Sequence, residues 1–283
     1  MRQALYHTLL ESLIGAWSPT VQLMRGIGAT GMLLPDLSGM GNHGTLTSME
    51  TTDWTTSGNL GALDYDGVDE SVNLGNAPGL RVTGNLSIAA WVSDDTTPAS
   101  GSAYMILAKD KDSGGRAYVL DLHNDPGGSY GTSGVVFRFF INGGSATQGN
   151  GTNIICSDVT VSLNTWYHVC GTYSTAGILN LYVNGKQAHA TTTGHSTSIN
   201  DATTANARIG AREYAGYLNY MDGKIDDCLM FSRTLTAEQV YGLYQLGRGR
   251  WYQLLRVPAA RRQVAAPAGQ NNAAWWFAAM GRM

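Results

Sequence analysis

Met221-Asp222-Gly223-Lys224-Ile225-Asp226-Asp227-Cys228-Leu229-Met230-Phe231-Ser232-Arg233-Thr234-Leu235-Thr236-Ala237-Glu238-Gln239-Val240 reads as a turn, a strand, a capped turn and a helix. Gly223 permits the turn, and Ile225 to Phe231 is rich in β-forming residues. Thr234 or Thr236 can cap a helix running on through Tyr241, Leu243 and Tyr244. Two adjacent carboxylates in such a strand demand donors or a cation. Fold and chemistry therefore meet at Asp226 and Asp227.

Upstream, short apolar runs alternate with Gly, Asn, Asp and Ser from about Trp17 to Gly247, the pattern of a β-sandwich. Predicted strands lie at Leu63–Gly67, Glu70–Leu74, Leu86–Val92, Tyr104–Ala108, Ala117–Leu122, Val135–Ile141, Trp166–Tyr173, Leu179–Val183 and Arg208–Ala211. Asn184-Gly185 is the strongest hairpin signal. The fold class is all-β: a two-sheet antiparallel sandwich with short terminal helices and a C-terminal extension. Thirty-six glycines and only 14% charged residues suit a turn-rich chain of 283 residues.

Charge divides the chain. From Val240 onward there are six arginines and no acid, so the preceding residues hold 12 of the 18 basic residues and all 21 acidic ones, a net of −9. An acidic body with a basic, aromatic tail (Arg250, Trp251, Arg261, Arg262, Trp275, Trp276) predicts a protein partner for the tail. Six arginines are too few to favour nucleic acid. Leu5, Leu9, Leu10, Leu13 and Ile14 repeat at helical spacing. The expected organisation is a helical extension over 1–16, a sandwich over 17–247 and a tail over 248–283. Cys156, Cys170 and Cys228 read as small core hydrophobes.

Landmarks in order carry a family resemblance: Asp36-Leu37-Ser38-Gly39-Met40-Gly41-Asn42-His43-Gly44, Leu63-Asp64-Tyr65-Asp66-Gly67, Ile88-Ala89-Ala90-Trp91-Val92, Trp166-Tyr167-His168-Val169, Leu181-Tyr182-Val183-Asn184-Gly185 and Gly223-Lys224-Ile225-Asp226-Asp227. Together, over about 14–247, they resemble the laminin G-like, concanavalin A-like jelly roll. That resemblance implies a structural calcium, for which Asp226, Asp227, Asp66 and Asp69 are the candidate ligands and Asp36 a weaker one. The alternative for Asp36 and Asp66 is that they accept hydrogen bonds from their own turns.

Catalysis is not expected. Glycosidases need two carboxyls across a cleft, and the laminarinase-type run Glu-x-Asp-x-x-Glu does not occur. Asp121 and Asp125, flanking His123, are the nearest pairing. Ligand binding is expected at Tyr214, Tyr217, Asn219 and Tyr220, with His123 and Tyr130 adding to the surface, because aromatic faces beside amides suit sugar rings. His43 and His168 read as framework residues. Met1–Trp17 holds no apolar run long enough for a signal peptide or a membrane span. The expected role is a non-enzymatic module, displayed on a bacteriophage virion as a decoration or fibre-associated protein and placed outside the cell by lysis. The alternative is a free or cell-surface lectin or adhesin, and oligomers are compatible with the pattern.

Overall fold

The computed structural model describes residues 9–23, 31–57, 60–111, 115–125, 127–128, 133–142, 153–213 and 219–251. Its strands form two antiparallel sheets of eight. The first runs β14 (Lys186–Gln187), β13 (Ile178–Val183), β12 (Tyr167–Ser174), β7 (Leu86–Asp94), β16 (Asp222–Phe231), β5 (Leu60–Asp66), β4 (Trp54–Ser57), with β1 (Leu13–Trp17) also on β16. The second runs β11 (Ile154–Thr160), β10 (Gly134–Ile141), β9 (Tyr118–Asp125), β8 (Ala103–Lys109), β15 (Ala207–Ile209), β6 (Ser71–Gly75), β3 (Gly44–Thr47), β2 (Leu33–Leu34).

Between the sheets, Leu120, Leu122, Phe137 and Phe139 meet Ile88, Val169, Leu181 and Ile225 in one continuous core. Phe139 fixes one residue opposite: a Cβ at Gly171 would lie 2.3 Å from its ring. The predicted hairpin forms between β13 and β14, with Asn184 at φ 51° and Gly185 at φ 73°, the two positive angles that its tight turn requires.

The opening motif of the resemblance proves to be a lock. The buried Asp36 carboxylate accepts from the backbone N–H of Ala16, Ser38 and Asn42 and from the Ser38 hydroxyl, at 2.8–2.9 Å. Asn42 then bonds the Ile14 carbonyl through Nδ2 and receives the Trp17 indole N–H on its own carbonyl. Asp36 thus takes the turn-accepting alternative and also ties that loop to β1.

The structure departs from the expected organisation at both ends. Residues 9–11 are helical, but Leu13–Trp17 is a strand with every residue buried, followed by the short helix α1 (Pro19–Leu23). The reason lies in β16. Its first half pairs with β5 and its second half with β1, while β7 runs along its other edge. Without β1 the second half of β16 would be an open edge. After helix α2 (Ala237–Leu246), capped by Thr236 through a reciprocal bond with Gln239, the chain returns to the sandwich. Trp251 is 3% exposed and packs with Leu9, Leu13, Val240 and Leu243 over the outward face of the first sheet. Residues 248–251 therefore belong to the body of the domain. Arg261, Arg262, Trp275 and Trp276 lie outside the described residues. All three cysteines are free and buried, as the sequence indicates.

Candidate functional site

The two outward faces differ. That of the first sheet is apolar and covered: Ala89, Cys170, Tyr182, Leu229 and Phe231 pack under Leu9, Leu13, α2 and Trp251. On the second sheet, alternation fixes what points away from the core. Because Leu120, Leu122, Phe137 and Phe139 point inward, Asp121, His123, Arg138 and Phe140 point out.

Asp121 on β9 is directly opposite Arg138 on β10. The guanidinium grips the carboxylate with Nε at 3.0 and 3.2 Å and Nη2 at 2.6 Å, while its Cζ lies 5.5 Å from the Phe140 ring centre. Met105 and Cys156 flank the pair on the adjoining strands. Asp121 is fully buried and Arg138 only 8% exposed. One step along β9, His123 bonds the Ser102 backbone, and its pKa is lowered by burial and by the nearby Arg138 cation. The ring is neutral at physiological pH.

Ser102 joins this row to a second polar group. Its hydroxyl accepts from Asn219 Nδ2 at 3.0 Å, and Asn219 Oδ1 accepts from Arg212 Nε at 2.8 Å. Arg212 in turn reaches the buried Asp110 at 3.2 Å, which Arg116 approaches at 2.7 Å from its other side. Burial raises the pKa of Asp110 despite the two arginines. Nearby, Arg208 bonds Glu213 at 2.9 Å and Asn206 bonds the same oxygen.

Two predicted ligand residues are thus brought together: His123 and Asn219 share Ser102. Tyr220 is half-buried and feels Arg208 and Asp69. Tyr214, Tyr217 and Tyr130 lie outside the described residues. Sequence reading missed Arg138, Arg212 and Asp110. The signal for Arg138 was present: in Phe137-Arg138-Phe139 the arginine must face away from two core phenylalanines.

The four carboxylates expected to hold calcium do not converge. Asp66 and Asp69 are exposed on the turn between β5 and β6, where Asp66 Oδ1 accepts from its own turn at Val68 N. Asp66 lies opposite Asp222 in the sheet, whereas Asp226 and Asp227 are farther along β16 and buried. Their oxygens already receive donors from Ser18, Thr20, Arg248 and Gly249. Among the described residues no group of three His, Cys, Asp or Glu side chains is placed to hold a metal ion.

Two facing antiparallel sheets, the first with its outward face covered by helix and the second bearing the Asp121–Arg138 pair among apolar side chains, have the architecture of a jelly roll. A family model described as the concanavalin A-like lectin/glucanases superfamily matches residues 66–241, and the chain belongs to that superfamily. Among solved structures it is similar to domain 4 of AbnA, a GH43 extracellular arabinanase from Geobacillus stearothermophilus, in complex with arabinotriose. The identity is 17% and the TM-score 0.56, over 83% of this chain and 98% of that one. It is also similar to the binding domain of Paraclostridial Mosquitocidal Protein 1 (13% identity, TM-score 0.56, 83% of this chain, 52% of that one). A Trypanosoma rangeli sialidase matches with 15% identity and a TM-score of 0.53, over 83% of this chain and 33% of the enzyme. These likenesses establish the fold. No curated protein sequence matches the chain.

Proposed function

We propose that this protein is a non-catalytic carbohydrate-binding module whose ligand face is the outward side of the second sheet. The observation that carries the reading is the row Asp121–Arg138–His123, linked through Ser102 to Asn219, on the outward face of the second sheet, which no helix among the described residues covers. A buried ion pair contributes little net stability compared with apolar packing of the same volume. Its place beside Met105, Val119 and Phe140 is therefore better accounted for by recognition. Fixed planar donors and acceptors beside an aromatic ring suit sugar hydroxyls and ring faces. With its carboxylate held bidentately by Arg138, Asp121 is a poor general acid or base. The arabinotriose bound to the arabinanase domain supports an oligosaccharide as the ligand class.

We place the module on a larger assembly, specifically a bacteriophage virion, with its terminal segments as the attachment. The support is the charge division: an acidic body and a tail with arginines but no acids. No helix among the described residues is long and apolar enough to cross a membrane. Glycan-array screening of the full chain tests the binding, with arabinotriose and sialylated oligosaccharides among the probes. His123→Ala and Asn219→Ala should lose it while still unfolding cooperatively as folded proteins, and binding that survives both variants refutes the assigned face. Mass spectrometry of purified particles tests the placement.

A further inference from the structure

Asp226 and Asp227 occupy an unusual notch. Here β16 leaves β5 and takes up β1, and its register against β7 slips by a bulge between Asp226 and Leu229. Asp227 has φ 49°, a left-handed conformation that Asp tolerates better than most residues. The bulge sends two neighbouring carboxylates into the same buried space instead of to opposite faces. Their charges repel, and burial raises the pKa of both.

Donors from residues 18–20 and 248–249 fill the notch. Ser18 Oγ donates to Asp227 at 2.6 Å, and Thr20 Oγ1 donates to Asp226 Oδ2 at 2.6 Å. Thr20 Oγ1 also lies 2.9 Å from the Gly61 carbonyl oxygen. The Gly249 N–H bonds Asp227 Oδ2. Arg248 Nη1 then sits 2.7 Å from the Gly61 carbonyl and 3.5 Å from Asp226 Oδ2, with its guanidinium 4.1 Å above the Trp166 ring. Gly61 O, Thr20 Oγ1 and Asp226 Oδ2 form a cradle of three hard oxygens, the kind of donor a calcium ion takes. Among the described residues its one positive occupant is the Arg248 side chain.

We infer that this cradle is a cation site filled by the chain itself: Arg248 supplies the charge a metal ion would otherwise bring, and in doing so fastens the segment after α2 to the sandwich. The placement has two consequences. The notch is metal-independent in the intact protein, and the root of the C-terminal tail is held beside the N-terminal segment at Ser18 and Thr20. Residues 18–20 and 248–249 are therefore anchored at one point.

The test removes the internal cation from the full chain and offers an external one. Arg248→Ala should melt several degrees below the wild type, and calcium chloride should raise its melting temperature by more than it raises that of the wild type. The extra gain should vanish when Asp226→Asn is added. Equal gains in both proteins, or an unchanged melting temperature for Arg248→Ala, overturn the inference. Should Arg248→Ala fail to fold, terbium titration of the wild type decides, because Trp166 would sensitise an ion in the cradle. No Asp226-dependent emission is expected. Emission from the wild type that Asp226→Asn abolishes would mean that a metal enters past Arg248, and the inference fails.

Discussion

Replacing Asp36 by alanine should be among the most damaging changes outside the core. Its carboxylate accepts four hydrogen bonds, two of them from the buried backbone N–H groups of Ala16 and Asn42. Ser38 lies near solvent and can rehydrate, but Ala16 and Asn42 cannot. A stranded buried donor costs about 1–3 kcal/mol, so the two predict a loss of about 2–6 kcal/mol. For a domain of this size each kcal/mol lowers Tm by roughly 2–4 °C. Asp36→Asn is a sharper probe. It keeps one acceptor for Ala16 and Ser38 but turns an amide NH2 toward Asn42 N–H, so its loss should fall between wild type and Asp36→Ala. Urea unfolding followed by tryptophan fluorescence reads all three, with the slope against denaturant unchanged. A loss below about 1 kcal/mol for Asp36→Ala would show that this loop does not lock β1 in place.

The other predictions concern buried charge. Arg138→Ala leaves Asp121 buried and unpaired and should cost about 3–5 kcal/mol, whereas Asp121→Leu with Arg138→Met should remain within about 2 kcal/mol of wild type. Equal losses in the two, measured by denaturant unfolding, would contradict the buried pair. His168 is buried between Trp91 and Tyr244, and burial lowers its pKa to about 3. A histidine held neutral by the fold contributes stability that is complete above its unfolded value near 6.5 and is lost as pH falls toward 3. At pH 4, roughly 2.5 pH units below that value, the wild type should have lost about 3 kcal/mol through this group. His168→Phe should lack that component, and parallel pH profiles for the two proteins would refute it.

How far the sequence discloses this molecule depends on the kind of signal. The central strands were legible because each buries an apolar face against the opposite sheet, so composition and alternation mark them: Leu86–Asp94, Tyr118–Asp125, Gly134–Ile141 and Tyr167–Ser174. The Asn184-Gly185 turn was legible because few dipeptides accept two positive φ angles. Residues 13–16 read as helical because Leu9 and Leu13 do share a buried cluster at helical spacing. What makes the segment a strand is the vacant edge of β16, more than two hundred residues away. The acidic pair at 226–227 announced an unmet need for partners, but not that Ser18, Thr20 and Arg248 would meet it. Those contacts depend on a bulge that no local pattern encodes. At the candidate site His123 and Asn219 were visible as polar residues in apolar or aromatic surroundings, while Arg138 was hidden in plain alternation.

The central claim is that the polar row on the second sheet is there for recognition and not for stability. The variant combining Asp121→Leu with Arg138→Met removes the ion pair of the row while keeping its volume, so oligosaccharide binding by this folded variant, measured beside the wild type by isothermal titration with the best array ligand, is the most direct test. Loss of binding in a variant that stays folded, with stability within about 2 kcal/mol of wild type, is the predicted result. Wild-type affinity in the variant would contradict the account.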